Sequence, residues 1–314
     1  MDIVIKTLPN LALIPYNTSK AIIFYIQRKK IVKLLEALIE NWKLSQVKTN
    51  YKSELKKFQF LNKFYIITYV LIMTLPTITS VYEYICKQQR KEMIEVWFPW
   101  DSKNNDLGFF IGMAFIYWSG SNVCFIIVSA DFYIFSTITV LSILFDALKN
   151  DIKAAVNAKN VKKLKIAIER HQKLILISDN LEKIFSFIFI YSFLNAAFAL
   201  GFSGFELAAA KTLHEYSLCV PFMIGALAQI YFYCYYGEKL LIASVSVANG
   251  IFESNWDDLH DSKVRKLLIL VIQRSQKAKK LNVLGFSELT LDTFTKISTS
   301  AYSYYTLLKD IYYE

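Results

Sequence analysis

Hydroxyl-bearing and charged side chains recur through the last apolar segment, Glu288 to Ile311. The segment is long enough to cross a bilayer, because about 20 helical residues span the hydrocarbon core. Residues three and four apart share one side of a helix. One side carries Lys296, Ser300, Ser303, Leu307, and Ile311 or Asp310. This stripe begins polar and ends in two branched apolar residues, which is the pattern of a water-filled pore closed by an apolar constriction.

A second interpretation of the same segment is a helix buried in a bundle, with its hydroxyls bonded to carbonyls four residues earlier or to neighbouring helices. From this segment alone, the buried helix is the commoner arrangement. Asp292 and Lys296 stand four residues apart with the acid first, which is the favourable order for an ion pair on a helix.

Composition places the chain in a membrane. Of its 314 residues, 54% are hydrophobic and 16% are aromatic, and the mean hydropathy is +0.32, well above that of a soluble domain. Only 9 Gly and 5 Pro are present, and lysine-rich amphipathic stretches separate the apolar segments, so the spans are expected to be helices rather than barrel strands. The formal charge of +10 sits between the apolar segments, a distribution that indicates cytoplasmic loops rather than nucleic-acid binding.

The residue types that carry catalysis show no useful spacing. The three histidines are scattered without a metal-ligand pattern, and phosphate-binding and nucleophile motifs are absent from the sequence. We therefore expect neither an enzyme, a metal nor a cofactor. Of the four cysteines, Cys86 and Cys219 are both predicted near the outer face, so a disulfide between them and free thiols are both open.

Six apolar segments can be marked, at about 8–27, 60–86, 108–147, 184–210, 217–247 and 288–311. They predict an all-α, polytopic membrane helix bundle. The first is the weakest, because prolines and Lys20 interrupt it, and it is either a kinked span or an interfacial piece. Asp131 lies inside the third. A charge there is costly, so it either makes a satisfied contact between helices or touches a ligand.

Loop charges predict the orientation. Lysine and arginine concentrate after the first, third and fifth segments, whereas the connections at 87–107 and 211–216 are shorter and mixed in sign. The three basic stretches are therefore expected in the cytoplasm and the C-terminus outside. Within them, 31–42, 161–177 and 264–278 have apolar residues at helical spacing, which predicts extensions of the spans or, alternatively, separate helices on lipid. Asn282 and Gly285 predict a break before the final helix.

Aromatic and polar residues in the outer halves of the spans are candidates for lining an apolar small-molecule pocket. Each of them is also suited to ordinary bundle packing. The candidates are Tyr69, Met73, Thr74, Phe115, Trp118, Asn122 and Phe222.

From about residue 95 onward the chain resembles an insect odorant receptor. The similarity is strongest in 231–259 and 267–308, with weaker matches at 97–101, Asp131 and 171–186, and FYIQRKKIVKLLEAL at 24–38 also resembles the family. The residues that match the family pattern in its two strongest parts are Cys234, Tyr235, Gly237, Glu238, Ser254, Asn255, Trp256, Arg274, Ser275, Gln276, Phe286, Leu291, Phe294, Tyr302, Ser303 and Leu308.

The resemblance implies a seven-helix subunit with its N-terminus inside and its C-terminus outside, in the plasma membrane of a sensory neuron dendrite. It implies a heterotetrameric, odorant-gated, non-selective cation channel formed with the family's co-receptor subunit. A volatile molecule would be the ligand and lipid the surroundings. Four final helices would line the pore, with the gate at Leu307 and Ile311 and Asp310 as the polar residue beside it.

The resemblance also implies a further span and a leader before residue 1, so that six of seven spans are expected here. Lys309 beside the gate is unusual for a cation pore. The expected division is 1–147 for the N-terminal membrane helices and ligand pocket, 148–183 for a cytoplasmic extension of the anchor, 184–247 for membrane helices, 248–285 for the anchor helix, and 286–314 for the pore helix and outer C-terminus. A G-protein-coupled or gustatory-type chemoreceptor is the alternative.

Overall fold

A computed structural model of the chain describes residues 2–45, 51–94, 96–102 and 104–313, with side chains for all of these except 2–14, 308 and 310–313. Regular structure in this part is helical apart from one β-bridge between Asn282 and Glu288. The helices are α1 (Asp2–Leu44), α2 (Tyr51–Lys87), α3 (Asp106–Asn157), α4 (Val161–Ala209), α5 (Leu213–Phe252), α6 (Ser262–Gln276) and α7 (Leu291–Tyr313).

Short polar side chains begin four of these helices. Asn105, Asn160 and Asp261 each accept a hydrogen bond from a backbone N–H in the first turn of α3, α4 and α6. Thr212 and Glu215 form a reciprocal capping box at the start of α5. Because the first amides of a helix have no partner within it, each such cap stabilises the helix start by about 1 kcal/mol.

The long helices alternate in direction. Ion pairs place the ends of α1, α3 and α5 beside the starts of α2 and α4. These pairs are Lys173–Glu40, Arg170–Asp151, Lys149–Glu253 and Lys239–Glu54. We call this end of the bundle the basic end, and the end that holds the α4–α5 connection the opposite end. α5 is the central helix and packs against α2, α3, α4, α6 and α7. α7 runs antiparallel to α5 and finishes at the opposite end.

The prediction of extended spans is confirmed for two of the amphipathic stretches, since 31–42 forms the last part of α1 and 161–177 forms the first part of α4. The third stretch forms most of the separate helix α6, which packs on α5. The predicted break is also present between α6 and α7. There Leu284 and Gly285 take positive φ values of 48° and 81°, and the chain reverses through the Asn282–Glu288 bridge.

An apolar belt crosses the bundle. It comprises residues 64–82 of α2, 107–130 of α3, 184–205 of α4 and 216–237 of α5, which contain no Lys, Arg, Asp or Glu. Among the described residues, these four helices are long and apolar enough to cross a membrane. The other two predicted spans fall in α1 and α7, which are more polar. All four cysteines are free thiols, with Cys86 exposed and Cys219 buried, so the Cys86–Cys219 bridge is not formed.

Gly237 lets α5 approach the segment that leads into α7. A Cβ atom added at Gly237 would lie 2.3 Å from the Leu289 carbonyl oxygen and 2.6 Å from its Cβ, whereas a Cβ at Gly204 of α4 meets nothing within 4 Å. Close backbone contact therefore requires glycine at position 237.

We predict that Gly237→Ala destabilises the protein by about 1–3 kcal/mol, because backbone must shift to admit the methyl group. The same substitution at Gly204 should be neutral or stabilising by up to about 1 kcal/mol, since alanine favours helix. Thermal unfolding of the purified protein in detergent measures both. Equal melting temperatures for the two variants would contradict this account of Gly237.

Candidate functional site

Asp131 of α3 lies at the centre of the bundle with no solvent exposure. Its carboxylate forms an ion pair with Lys20 of α1, which is equally buried. Tyr65 of α2 donates to Oδ2 at 2.6 Å. Tyr233 of α5 donates to Oδ1 at 2.5 Å, and Gln229 Nε2 donates to Oδ2 at 2.9 Å. The carboxylate is thus fully engaged, as the interpretation of a satisfied contact between helices predicted.

A second layer of polar groups extends this arrangement to α4. Gln229 Nε2 also donates to the Tyr16 hydroxyl at 2.8 Å, and that hydroxyl lies 3.0 Å from Ser192 Oγ of α4. The Lys20 ammonium lies 4.6 Å from the centre of the Tyr16 ring, within range of a cation–π interaction. The Asp131 cluster is defined by Tyr16, Lys20, Tyr65, Tyr69, Asp131, Ser192, Gln229 and Tyr233.

The depth of the Asp131 cluster follows from the apolar belt. Asp131 is the first charged residue of α3 after the belt, and Tyr65 follows Lys63 closely at the belt's edge on α2. The cluster therefore lies inside the bundle near the basic-end border of the belt. Water is scarce at that depth, so each polar group must be satisfied by protein.

The final helix is packed on one side only. Phe294, Ile297 and Ala301 of α7 pack against the small residues of α4 and α5, and the Phe294 ring meets Tyr231 edge-on at 5.3 Å. The opposite side is exposed from Asp292 to Leu307. We call that side the free face of α7, and its residues are Asp292, Lys296, Thr299, Ser300, Ser303 and Leu307.

The free face is polar for three turns and then apolar. Ser300 and Ser303 donate to the carbonyls of Lys296 and Thr299 at 2.9 and 3.0 Å, which leaves their oxygen lone pairs available to water. Leu307 follows with 57% of its surface exposed. The chain's own bundle does not bury this stripe. The side chains of Asp310 and Ile311, the other predicted gate residues, lie outside the part of the chain that the structure describes.

An open groove of about 740 Å³ runs along the edge of α7, between it and the α4 half of the belt. Aromatic rings of Phe198, Phe202 and Tyr304 line it together with Lys296 and Ser300. The groove is continuous with the free face, so both surfaces are open in the single chain.

Of the predicted pocket residues of α2, one lies in the Asp131 cluster and two lie further along the helix towards the opposite end. Tyr69 is buried in the Asp131 cluster, 3.3 Å from the Tyr65 hydroxyl. Met73 packs at Gly120 of α3, where an added Cβ would lie 2.3 Å from its Cε. Thr74 donates to the carbonyl of Val70 at 2.9 Å.

The other predicted pocket residues are divided between two surfaces. Phe115 and Trp118 are 56% and 71% exposed on α3, and the exposed Asn122 donates to the Trp118 carbonyl. Phe115 still meets the Phe98 ring edge-on at 6.2 Å, at the margin of the side of α3 on which Phe109, Met113 and Ile116 pack. Phe222 of α5 packs with the α7 group instead. A ligand role for each residue stays a prediction.

Sequence reasoning missed most of the Asp131 cluster. One signal was available: Lys20 is a cation inside an apolar segment, and Asp131 is the acid inside another. Because unpaired charges are too costly in a membrane interior, the two could have been matched. Nothing in the sequence singled out Tyr65, Gln229 or Tyr233 from the many other polar residues of the spans.

The belt, the buried polar cluster and the one-sided final helix define a polytopic α-helical membrane protein. The fold matches that of the insect olfactory receptor OR5 from Machilis hrabei in complex with eugenol, with a TM-score of 0.83, 15% identity, and coverage of 98% of this chain and 81% of that one. The family model described as 7tm Odorant receptor matches residues 1–302. The chain belongs to the 7tm odorant receptor family.

Relatives in Drosophila melanogaster agree with this assignment. The protein called odorant receptor 92a is 26% identical over 308 residues, which cover 92% of this chain and 74% of the relative. Odorant receptor 13a is 21% identical over 95% of this chain and 78% of the relative. The resemblance seen in the sequence is thereby confirmed, and the bundle has the insect odorant receptor fold.

We predict that Asp131→Asn destabilises the protein by about 3–5 kcal/mol, because it leaves the Lys20 ammonium buried without a counter-charge. Lys20→Met should cost a similar amount. The double variant should lose less unfolding free energy than the two single variants lose together, since no unpaired charge then remains. Denaturant unfolding in detergent measures these free energies.

The exposed pair between Lys173 and Glu40 supplies the control for this cycle. Lys173→Met removes one partner of a solvated pair and should cost less than about 1 kcal/mol. Two outcomes would show that the buried pair does not stabilise the packing of the helices. One is that the losses of unfolding free energy in the Lys20 and Asp131 variants add up in the double variant, and the other is that each loss is no larger than that of Lys173→Met.

Proposed function

We propose that this chain is the ligand-binding subunit of an odorant-gated, non-selective cation channel, assembled with a co-receptor subunit in the plasma membrane of a sensory neuron, at its dendrite. The free face of α7 is the observation that carries the proposal. A membrane helix with hydroxyls and charges along one exposed side cannot present that side to lipid. Several such helices around a common axis would instead enclose water.

The order of residues along the free face supports a gate at its far end. Ser300 and Ser303 would keep the pore wettable, whereas Leu307 would narrow it with an apolar surface near the opposite end. Apolar constrictions close a pore by excluding water. Rotation of α7, or outward movement of its end, would take Leu307 off the axis and let ions pass.

α5 offers a mechanical link between a ligand and this gate. Gln229 and Tyr233 of α5 belong to the Asp131 cluster, whereas Tyr231 and Cys234 on the adjoining side contact α7. A volatile molecule bound among the outer halves of α2, α3 and α5 would act by having different affinities for two positions of this helix. The bound eugenol of the Machilis receptor supports a small volatile ligand here.

We predict that Leu307→Ser raises the ligand-independent current of cells that coexpress the chain with a co-receptor subunit, because the gate would then stay hydrated. The increase over the parent should be several-fold in whole-cell recordings at matched surface expression. Leu107→Ser is the matched control, since Leu107 is 67% exposed on α3 and lies away from the proposed pore. Unchanged current in Leu307→Ser would refute the proposed gate.

The proposed orientation places the C-terminus outside the cell. An epitope fused after residue 314 should bind antibody on intact cells, because α7 finishes at the end of the bundle that carries fewer basic residues. An epitope in the 158–160 turn should require permeabilised cells. The reverse pattern would favour a G-protein-coupled receptor, whose last helix ends in the cytoplasm.

A further inference from the structure

Resting on the channel function proposed above, we propose that the ion pair between Asp292 and Lys296, on the free face of α7, controls how readily cations enter the pore from the basic end. Lys296 places a positive charge on the pore surface, and Asp292 neutralises it from the preceding turn. The pair sets the cation conductance and is separate from the gate at Leu307.

The start of α7 fixes the depth of the pair. The Leu291 N–H lies 3.4 Å from Glu238 Oε2, and Glu238 is the first charged residue of α5 after the apolar belt. α7 therefore begins at the basic-end border of the belt. Asp292 and Lys296 stand in its first two turns, at the mouth through which ions would enter from that end.

The helical repeat fixes the direction of the pair. Asp292 and Lys296 are separated by four residues, and Ser303 and Leu307 follow on the same side of the helix. The side chains of Lys296 and Asp292 are 74% and 72% exposed, and Lys296 Nζ lies 2.7 Å from Asp292 Oδ2. Any arrangement that directs Ser303 and Leu307 into a pore directs this pair into it as well.

The counter-charge of Lys296 comes from its own helix. Glu288, the other acid next to α7, is engaged by Lys280 at 2.8 Å, and Glu238 faces the Leu291 N–H. At physiological ionic strength a charge acts over about 8 Å. Lys296 alone would therefore repel entering cations, whereas the closed pair presents a small dipole with no net charge.

Single-channel recording from cells that coexpress the full chain with a co-receptor subunit tests the inference. Cells that express the co-receptor alone give the background. Asp292→Asn exposes the Lys296 charge and should lower the inward and outward cation conductance roughly two-fold at about 0.15 M salt. The loss should shrink in 1 M salt, where screening acts within about 3 Å. Lys296→Gln should raise conductance, and the double variant, which has no net charge at this position, should return to the parent value.

Glu40→Gln, which removes the same charge from the exposed pair with Lys173, should leave conductance unchanged. If the parent conducts, but the conductance of Asp292→Asn is the same as that of the parent and of Glu40→Gln, the inference is overturned and the channel function stands. If neither the parent nor Leu307→Ser adds current to the co-receptor background, the channel function falls and this inference with it. Should Asp292→Asn not reach the surface, unchanged conductance in Lys296→Gln overturns the inference.

Discussion

A lysine ammonium and a carboxylate persist inside an apolar bundle only when they meet each other and find further hydrogen-bond partners. Lys20 and Asp131 meet each other, phenol and amide groups from α2 and α5 complete the shell of the carboxylate, and the ring of Tyr16 faces the ammonium. The partners come from different helices, so sliding any one of them would leave a buried polar group unpaired. This constraint sets the mutual register of α1, α2, α3 and α5, and through Tyr16 that of α4.

α5 transmits that register to the final helix. One side of α5 is fixed in the Asp131 cluster, and the other supports α7 through the Tyr231–Phe294 contact and the small residues around Cys234. At Gly237 the backbone leading into α7 approaches so closely that a methyl group would not fit. The position of α7 is therefore determined by the same helix that completes the buried ion pair, although α7 contributes nothing to that pair.

Much of this architecture could be predicted from residue types and spacing. Apolar length predicted the spans later found in α2 to α5, amphipathic spacing predicted the extensions of α1 and α4, and Asn282 with Gly285 predicted the break before α7. The i, i+4 spacing also predicted the Asp292–Lys296 pair. These features depend on neighbours along the chain. Whether one pocket contains Tyr69, Phe115, Trp118 and Phe222 depends on how each helix is rotated about its axis. Apolar spans do not reveal this rotation, because both sides of such helices are hydrophobic.

By itself, the sequence determined that the chain is a helical membrane protein, that its final helix has one polar side, and that charges at positions 20 and 131 need partners, since transfer energies and the helical repeat are local properties. Only the tertiary structure decided that those two charges meet each other, that five helices share the resulting cluster, and that the polar side of α7 faces away from its own bundle. The contacts between helices in this cluster join residues from 66 to 213 positions apart. They are fixed by the simultaneous packing of the helices rather than by any one stretch of the chain.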